Sequence, residues 1–207
     1  MKKNIMLLCL LMALCACSEP PNMENKKQPQ QNQQPKELTF EDMPNEQTRY
    51  ETMETQALVG NDAALVALQI QLIKDNFEFI EKDSGNSWSV HDCQNNIIID
   101  VKGEGISTYT AKSKVGVGED GADFPDFLLL RFEFPSVDAT VEKFKKLDDA
   151  VRSGGGLCNG KAPATVVMSG NEIYYFTTGT EKFRDYIHRY AAIVQNFKPQ
   201  VTPVAQP

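Results

Sequence analysis

Phe127-Leu128-Leu129-Leu130-Arg131-Phe132-Glu133-Phe134 is the stretch on which the fold turns. Leu128, Leu130, Phe132 and Phe134 fall on one side of an extended chain, with Arg131 and Glu133 on the other. That period of two marks a strand with one face buried. It belongs to an antiparallel sheet with one wet side, so Arg131 and Glu133 are expected in solvent. Pro135-Ser136 stops the strand and starts a helix. Its inward residues are expected to be Val137, Val141, Phe144 and Val151, and Gly154 closes it.

Working outward, Ala164–Ser169 and Glu172–Thr177 flank Gly170-Asn171, a two-residue loop of hairpin type. A last helix is expected from near Thr180. Phe183, Ile187, Tyr190, Val194 and Phe197 make its apolar stripe, and Pro199 ends it. Upstream, residues 97–102 and 106–114 flank Gly103-Glu104-Gly105, which reads as another hairpin. Val66, Ile70, Ile73, Phe77 and Ile80 step by 4, 3, 4 and 3 and give one helical face after an Asn61 cap. A shorter helix followed by a strand at 77–80 is the competing reading. Residues 50–58 carry weak helical spacing and end at Gly60. The expected fold is α+β: an antiparallel sheet of about five strands flanked by three or four helices, with one disulfide. Hairpin-linked strands favour this class over a doubly wound one.

The 207 residues are 41% hydrophobic and 24% charged, enough to fill a core, which excludes collagen-like, polytopic membrane and wholly disordered chains. The formal charge of −7 leaves no basic surface to neutralise a phosphate backbone, so no nucleic-acid partner is expected. Four segments follow: a signal at 1–16, a Gln/Pro-rich tether at 17–47, a single globular domain at 48–198 and a tail at 199–207. The tether holds too little apolar surface to offset chain entropy and is expected to be disordered, as is the tail. A coil of that length spans roughly 30 Å.

Lys2 and Lys3 precede an apolar run at 5–14, the order of an export signal. The run is shorter than the ~20 residues a spanning helix needs. It ends in Leu14-Cys15-Ala16-Cys17, which resembles the lipobox of bacterial lipoproteins. The resemblance implies cleavage before Cys17, diacylglycerol on the Cys17 sulfur and acylation of the new amino group, palmitate being a typical chain. Cys15 departs from the pattern, where a small non-thiol residue is usual. Cutting before Cys15 instead would leave Leu14, too large, at the position before the cut. In lipoproteins of Gram-negative bacteria Asp after the cysteine marks retention in the inner membrane, so in such a bacterium the resemblance implies an outer-membrane address facing the periplasm for a chain with Ser18. The expected partners are the bilayer, through Cys17, and an envelope protein or cell-wall component. Residues 170–198 also resemble the end of PsbP-like domains, where a hairpin with aromatic strand residues (here Ile173-Tyr174-Tyr175-Phe176) runs into a helix finishing as Ile193 to Phe197 does. That likeness covers about a fifth of the folded part and implies no function.

With Cys9 and Cys15 in the signal and Cys17 acylated, Cys93 and Cys158 remain, an even pair suited to a disulfide in an oxidising compartment. A redox or nucleophilic thiol is the alternative, and neither cysteine lies in a Cys-x-x-Cys pair. Gly155-Gly156-Leu157-Cys158-Asn159-Gly160-Lys161 spells a P-loop. The context is reversed, helix before and strand after, and Ala162 stands where a hydroxyl should hold Mg²⁺, so no nucleotide is expected. Gly116-Val117-Gly118-Glu119-Asp120-Gly121 spells a dinucleotide turn, yet its carboxylates repel a pyrophosphate and no helix follows. Glu119, Asp120, Asp123 and Asp126 are Ca²⁺ candidates, although the EF-hand spacing is missing.

His91 and His188 are the only histidines, and no H-E-x-x-H, G-x-S-x-G or S-x-x-K occurs. His91-Asp92-Cys93 reads as an ordinary loop rather than a dyad. Trp88, Tyr174, Tyr175, Phe176, Tyr186 and Tyr190 either line an apolar groove or fill the core. No catalytic residue and no cofactor are assigned. The sequence points to a non-catalytic, membrane-anchored binding or structural accessory module. An envelope hydrolase with an unrecognised site and an ion or small-molecule binder are the alternatives.

Overall fold

Met53 and Thr55 are buried while Thr52 and Glu54 are exposed. This period of two makes Arg49–Thr55 a strand, β1, where a helix had been expected. Tyr50, Thr52 and Thr55 are residues that suit a half-buried pleat better than a helical stripe. The computed structural model describes residues 44–83, 85–154 and 162–198. After β1 come α1 (Ala63–Lys74), β2 (Phe77–Lys82), β3 (Ser87–Asp92), β4 (Ile97–Gly103), β5 (Ile106–Ser113) and β6 (Asp126–Glu133). Then follow α2 (Val137–Arg152), β7 (Ala164–Ser169), β8 (Glu172–Thr177), a 3₁₀ turn at Glu181–Phe183 and α3 (Arg184–Gln195).

The strands form two sheets. The larger is fully antiparallel, in the order β2-β5-β6-β8-β7. The smaller has the order β1-β4-β3, with β1 parallel to β4. The α+β class and the five-stranded antiparallel sheet therefore hold, and a second sheet adds to them. The expected hairpin around Gly103-Glu104-Gly105 is replaced by a corner at which the chain leaves one sheet for the other. Gly103 has φ +119, and a Cβ there would fall 2.3 Å from the Thr55 carbonyl oxygen; one on Gly105 would fall 2.7 Å from the Gln56 nitrogen. These glycines allow the end of β1 to pass against the backbone, a demand that spacing alone cannot distinguish from a turn. The Glu133 N–H donates to Gly105 O at 2.9 Å, and the Gln56 N–H to Glu133 O at 3.0 Å, which stitches the corner to β6.

Two apolar layers lie on opposite faces of the large sheet. On one, Leu129, Phe127, Tyr174 and Phe176 pack with Leu68 and Leu72 of α1 and Ile187, Tyr190 and Val194 of α3. On the other, Leu130, Phe132 and Ile173 pack with Val90, Ile99 and Val101 of the small sheet and Leu147 and Ala150 of α2. The stripe read for the last helix is the buried one. The face read for α1 is not: Val66, Ile70 and Ile73 are exposed, and Ala64, Leu65, Leu68 and Leu72 face the core. The helix is apolar around most of its circumference, so period alone could not choose the inner side, and β2 takes over at Phe77. Val137 and Val141 of α2 are likewise exposed, with Thr140, Leu147 and Ala150 inward. Ser136 caps α2 as read, its Oγ accepting from Ala139 N at 3.2 Å. Asp62, not Asn61, occupies the cap position of α1 and makes no capping bond.

Candidate functional site

Arg131 and Glu133, expected in water, are buried beneath the start of α1. The register explains this: Arg131 lies opposite Tyr174 and Glu133 opposite Glu172, so their face of the sheet is the one α1 and α3 cover. The Arg131 guanidinium donates from Nε to Glu172, and from Nη2 to Glu133 Oε1 at 2.9 Å and to the Asn61 carbonyl at 2.9 Å. Nη1 sits 3.0 Å from Asp62 Oδ1. The Tyr174 hydroxyl donates to the other Glu172 oxygen at 2.9 Å. The Asp62 carboxylate that caps nothing thus clamps the first turn of α1 to the sheet.

Burial pushes the Glu172 carboxyl above its ordinary range, with Arg131 and Tyr174 opposing. Burial disfavours the charged Arg131, but Glu172, Tyr174 and Glu133 outweigh it and raise its pKa. Burial, then the Glu172 charge, holds the Tyr174 phenol well above its usual value. A second polar clasp closes the other end of α1, where the Tyr190 hydroxyl donates to Asp75 Oδ2 at 2.9 Å and accepts from Arg189 at 2.8 Å. Burial, then the Asp75 hydrogen bond, pushes Tyr190 up to about 12.

One opening borders this framework and another lies across the sheet from it. A groove of about 440 Å³ runs between α1 and the sheet, with Asp62, Val66, Phe79, Glu81, Tyr109 and Arg131 along it. Phe79 and Tyr109 stack there at 5.0 Å. Neither Glu133 nor Glu172 lines it, because both are engaged by Arg131. The larger opening, about 650 Å³, is a trough on the opposite face, where the small sheet and α2 leave β2, β5 and β6 uncovered. Cross-strand register lays its walls out in rows: Glu78, Lys112 and Asp126 in one, Ile80, Thr110 and Leu128 in the next. Thr178 lines one end, and its Oγ1 is buried without a hydrogen-bond partner.

The residues singled out from the sequence do not converge. His91 is buried, its Nε2 3.2 Å from Asn96 Oδ1, and Asp92 is turned to cap the Gln94 and Asn95 amides. Asp123 pairs with Lys182, Asp120 accepts from Ala122 N, and Asp126 belongs to β6. Among the described residues no three His, Cys, Asp or Glu side chains come together to hold a metal. The aromatic set divides between the two faces of the sheet. Trp88 packs on Tyr175 and Phe132, while Tyr174, Phe176, Tyr186 and Tyr190 belong to the other core, so they form no single groove. The Cys93 sulfur is in a disulfide, and its N–H donates to Ser153 Oγ at 2.9 Å at the end of α2. The P-loop look-alike and Cys158 lie outside the described residues, as do Cys17, the signal, nearly all of the tether and the tail.

The Arg131 cluster was missed because charged residues on a strand read as its wet side. The signal was a second polar pair, Glu172 and Tyr174, at the same i, i+2 spacing as Arg131 and Glu133 on another strand. No family model, curated protein or solved structure among those compared matches this chain. Among the described residues, no helix is long and apolar enough to cross a membrane.

Proposed function

We propose that this is a bacterial envelope lipoprotein, anchored through acylated Cys17 and acting as a non-catalytic binding module. The observation that carries the binding role is the larger trough, an open sheet surface of charged and apolar rows rather than a pocket converging on reactive groups. An envelope protein or cell-wall component can lie along such a surface. The anchoring part rests on the lipobox-like Leu14-Cys15-Ala16-Cys17 and the signal ahead of it. Two or three acyl chains at ~0.8 kcal/mol per buried CH₂ hold a protein at a membrane, where confinement raises its effective concentration for partners.

A Cys93–Cys158 disulfide belongs to the same reading. Ser153 holds the Cys93 backbone, and Cys158 follows five residues later in the chain. Closing that long a loop is worth roughly 3–5 kcal/mol in the chain-entropy account. The test is labelled palmitate fed to cells making the chain or its Cys17→Ala form. Label and membrane fractionation should both be lost in Cys17→Ala; label retained by that variant overturns the anchor. Capture from envelope extracts with the detergent-solubilised chain, and its loss in Lys112→Glu, tests the trough. Equal capture by both forms overturns the trough as the binding surface.

A further inference from the structure

We propose that the free edge of β2 docks a second copy of this chain, antiparallel, about a two-fold axis through Ile80. β2 ends the five-stranded sheet, and no described strand pairs with its outer edge. At the opposite end of the sheet, β7 is packed by both α2 and α3. Only Phe77 of β2 is buried; Glu78, Ile80, Glu81 and Lys82 are exposed. No proline interrupts the strand. Edge strands left this open either carry charges that repel other chains or are waiting for one.

The charges on β2 distinguish these cases. In a continuous sheet, opposed residues point to the same face, which restricts self-pairing to registers centred on a residue. Centred on Ile80, the pairing sets Ile80 against itself and Glu78 against Lys82 of the other copy, twice. Opposite charges then meet on both sides of an apolar contact. Centred on Phe79, Glu78 faces Ile80 and no charge is compensated. A parallel in-register pairing stacks Glu78, Glu81 and Lys82 on their own kind, which is repulsive. The sequence therefore selects one register. The trough containing Glu78, Ile80 and Lys82 would run on across the axis into its copy. Dimerisation does not depend on the lipid anchor.

One strand per copy gives an interface at the small end of the specific range, so the dimer is expected to be weak, with Kd roughly 10–100 μM. The test places a cysteine at the axis. In the full chain, Ile80→Cys should join to itself through a short bis-maleimide. Thr110→Cys, one strand inward on the same face, should not. Glu78→Lys and Lys82→Glu, each added to Ile80→Cys, should cut the cross-linked fraction about fivefold or more, and the two together should restore it. Unchanged melting temperatures confirm that these exposed substitutions leave the fold intact. Equal cross-linking of Ile80→Cys and Thr110→Cys overturns the proposal. So do insensitivity to the single reversals and failure of the pair to rescue.

Discussion

Replacing Arg131 with methionine tests the framework under α1 most directly. Among the described residues the guanidinium is the only cation bonded to Glu133 and Glu172, both about as buried as Arg131 itself. Its loss leaves two carboxylates in a low-dielectric site and frees the Asp62 and Asn61 contacts that fasten the start of α1. Removing one partner of a buried ion pair costs about 3–5 kcal/mol, a large share of the roughly 5–15 kcal/mol that holds a domain together.

The penalty depends on pH in a fixed direction. The folded-state pKa of Glu172 already lies above its unfolded value. Its contribution therefore favours folding below the unfolded pKa and is lost as pH rises through the folded one. Without Arg131 that folded pKa climbs further, so the variant should be worst near neutrality and recover part of its deficit in acid. Urea melts of both chains at about pH 7.5 and about pH 4.5 measure this, and the difference should shrink by at least ~1 kcal/mol at the lower pH. A triple change, Arg131→Met with Glu133→Gln and Glu172→Gln, removes the stranded charges and should regain most of the loss. A deficit below ~1 kcal/mol at neutral pH, or one indifferent to pH, would refute the reasoning.

Other outcomes follow from the same structure. Gly103→Ala should cost about 2 kcal/mol or more in a denaturant melt, because φ is +119 and the new Cβ meets the Thr55 carbonyl. Gly170→Ala, with open space around its Cβ at φ +60, should cost less. Tyr190→Phe should lose ~1 kcal/mol with its hydrogen bond to Asp75. In an alkaline absorbance titration the same variant should lack a phenol that ionises near 12. Calcium at about 1 mM should leave the melting temperature unmoved, whereas a site bound at a hundredth of that concentration would add about 2.7 kcal/mol. Cys93 should not react with a thiol reagent in denaturant until reductant is added.

The residues announced their elements better than their neighbours. The strand at 127–134, the Gly170-Asn171 turn and the α3 stripe were legible as elements because each is a local pattern, although the second face of that strand proved buried rather than wet. β1 and β3 escaped notice because polar residues such as Thr55, His91 and Asp92 take buried places that a hydrophobic period cannot see. The side of α1 that meets the core was illegible because isoleucine and valine lie on one side and leucine on the other. The meaning of Arg131 lay in its register with Glu172, 41 residues away, and register is a property of the assembled sheet.

The parallel pairing of β1 with β4 sets the order in which the molecule can be built. Arg49 finds its partner at Ile97 only after the helix and strands between them have been made. A chain delivered amino end first therefore presents β1 long before there is anything to receive it, and contacts this distant in sequence are slow to close. Of the large antiparallel sheet only β2 precedes β4 in the chain, and that sheet is complete only when β8 ends at Thr177. Until Gly103 has emerged, residues 49–55 offer an edge with no strand to receive it; from then on the small sheet can close while the large one still waits for its later strands.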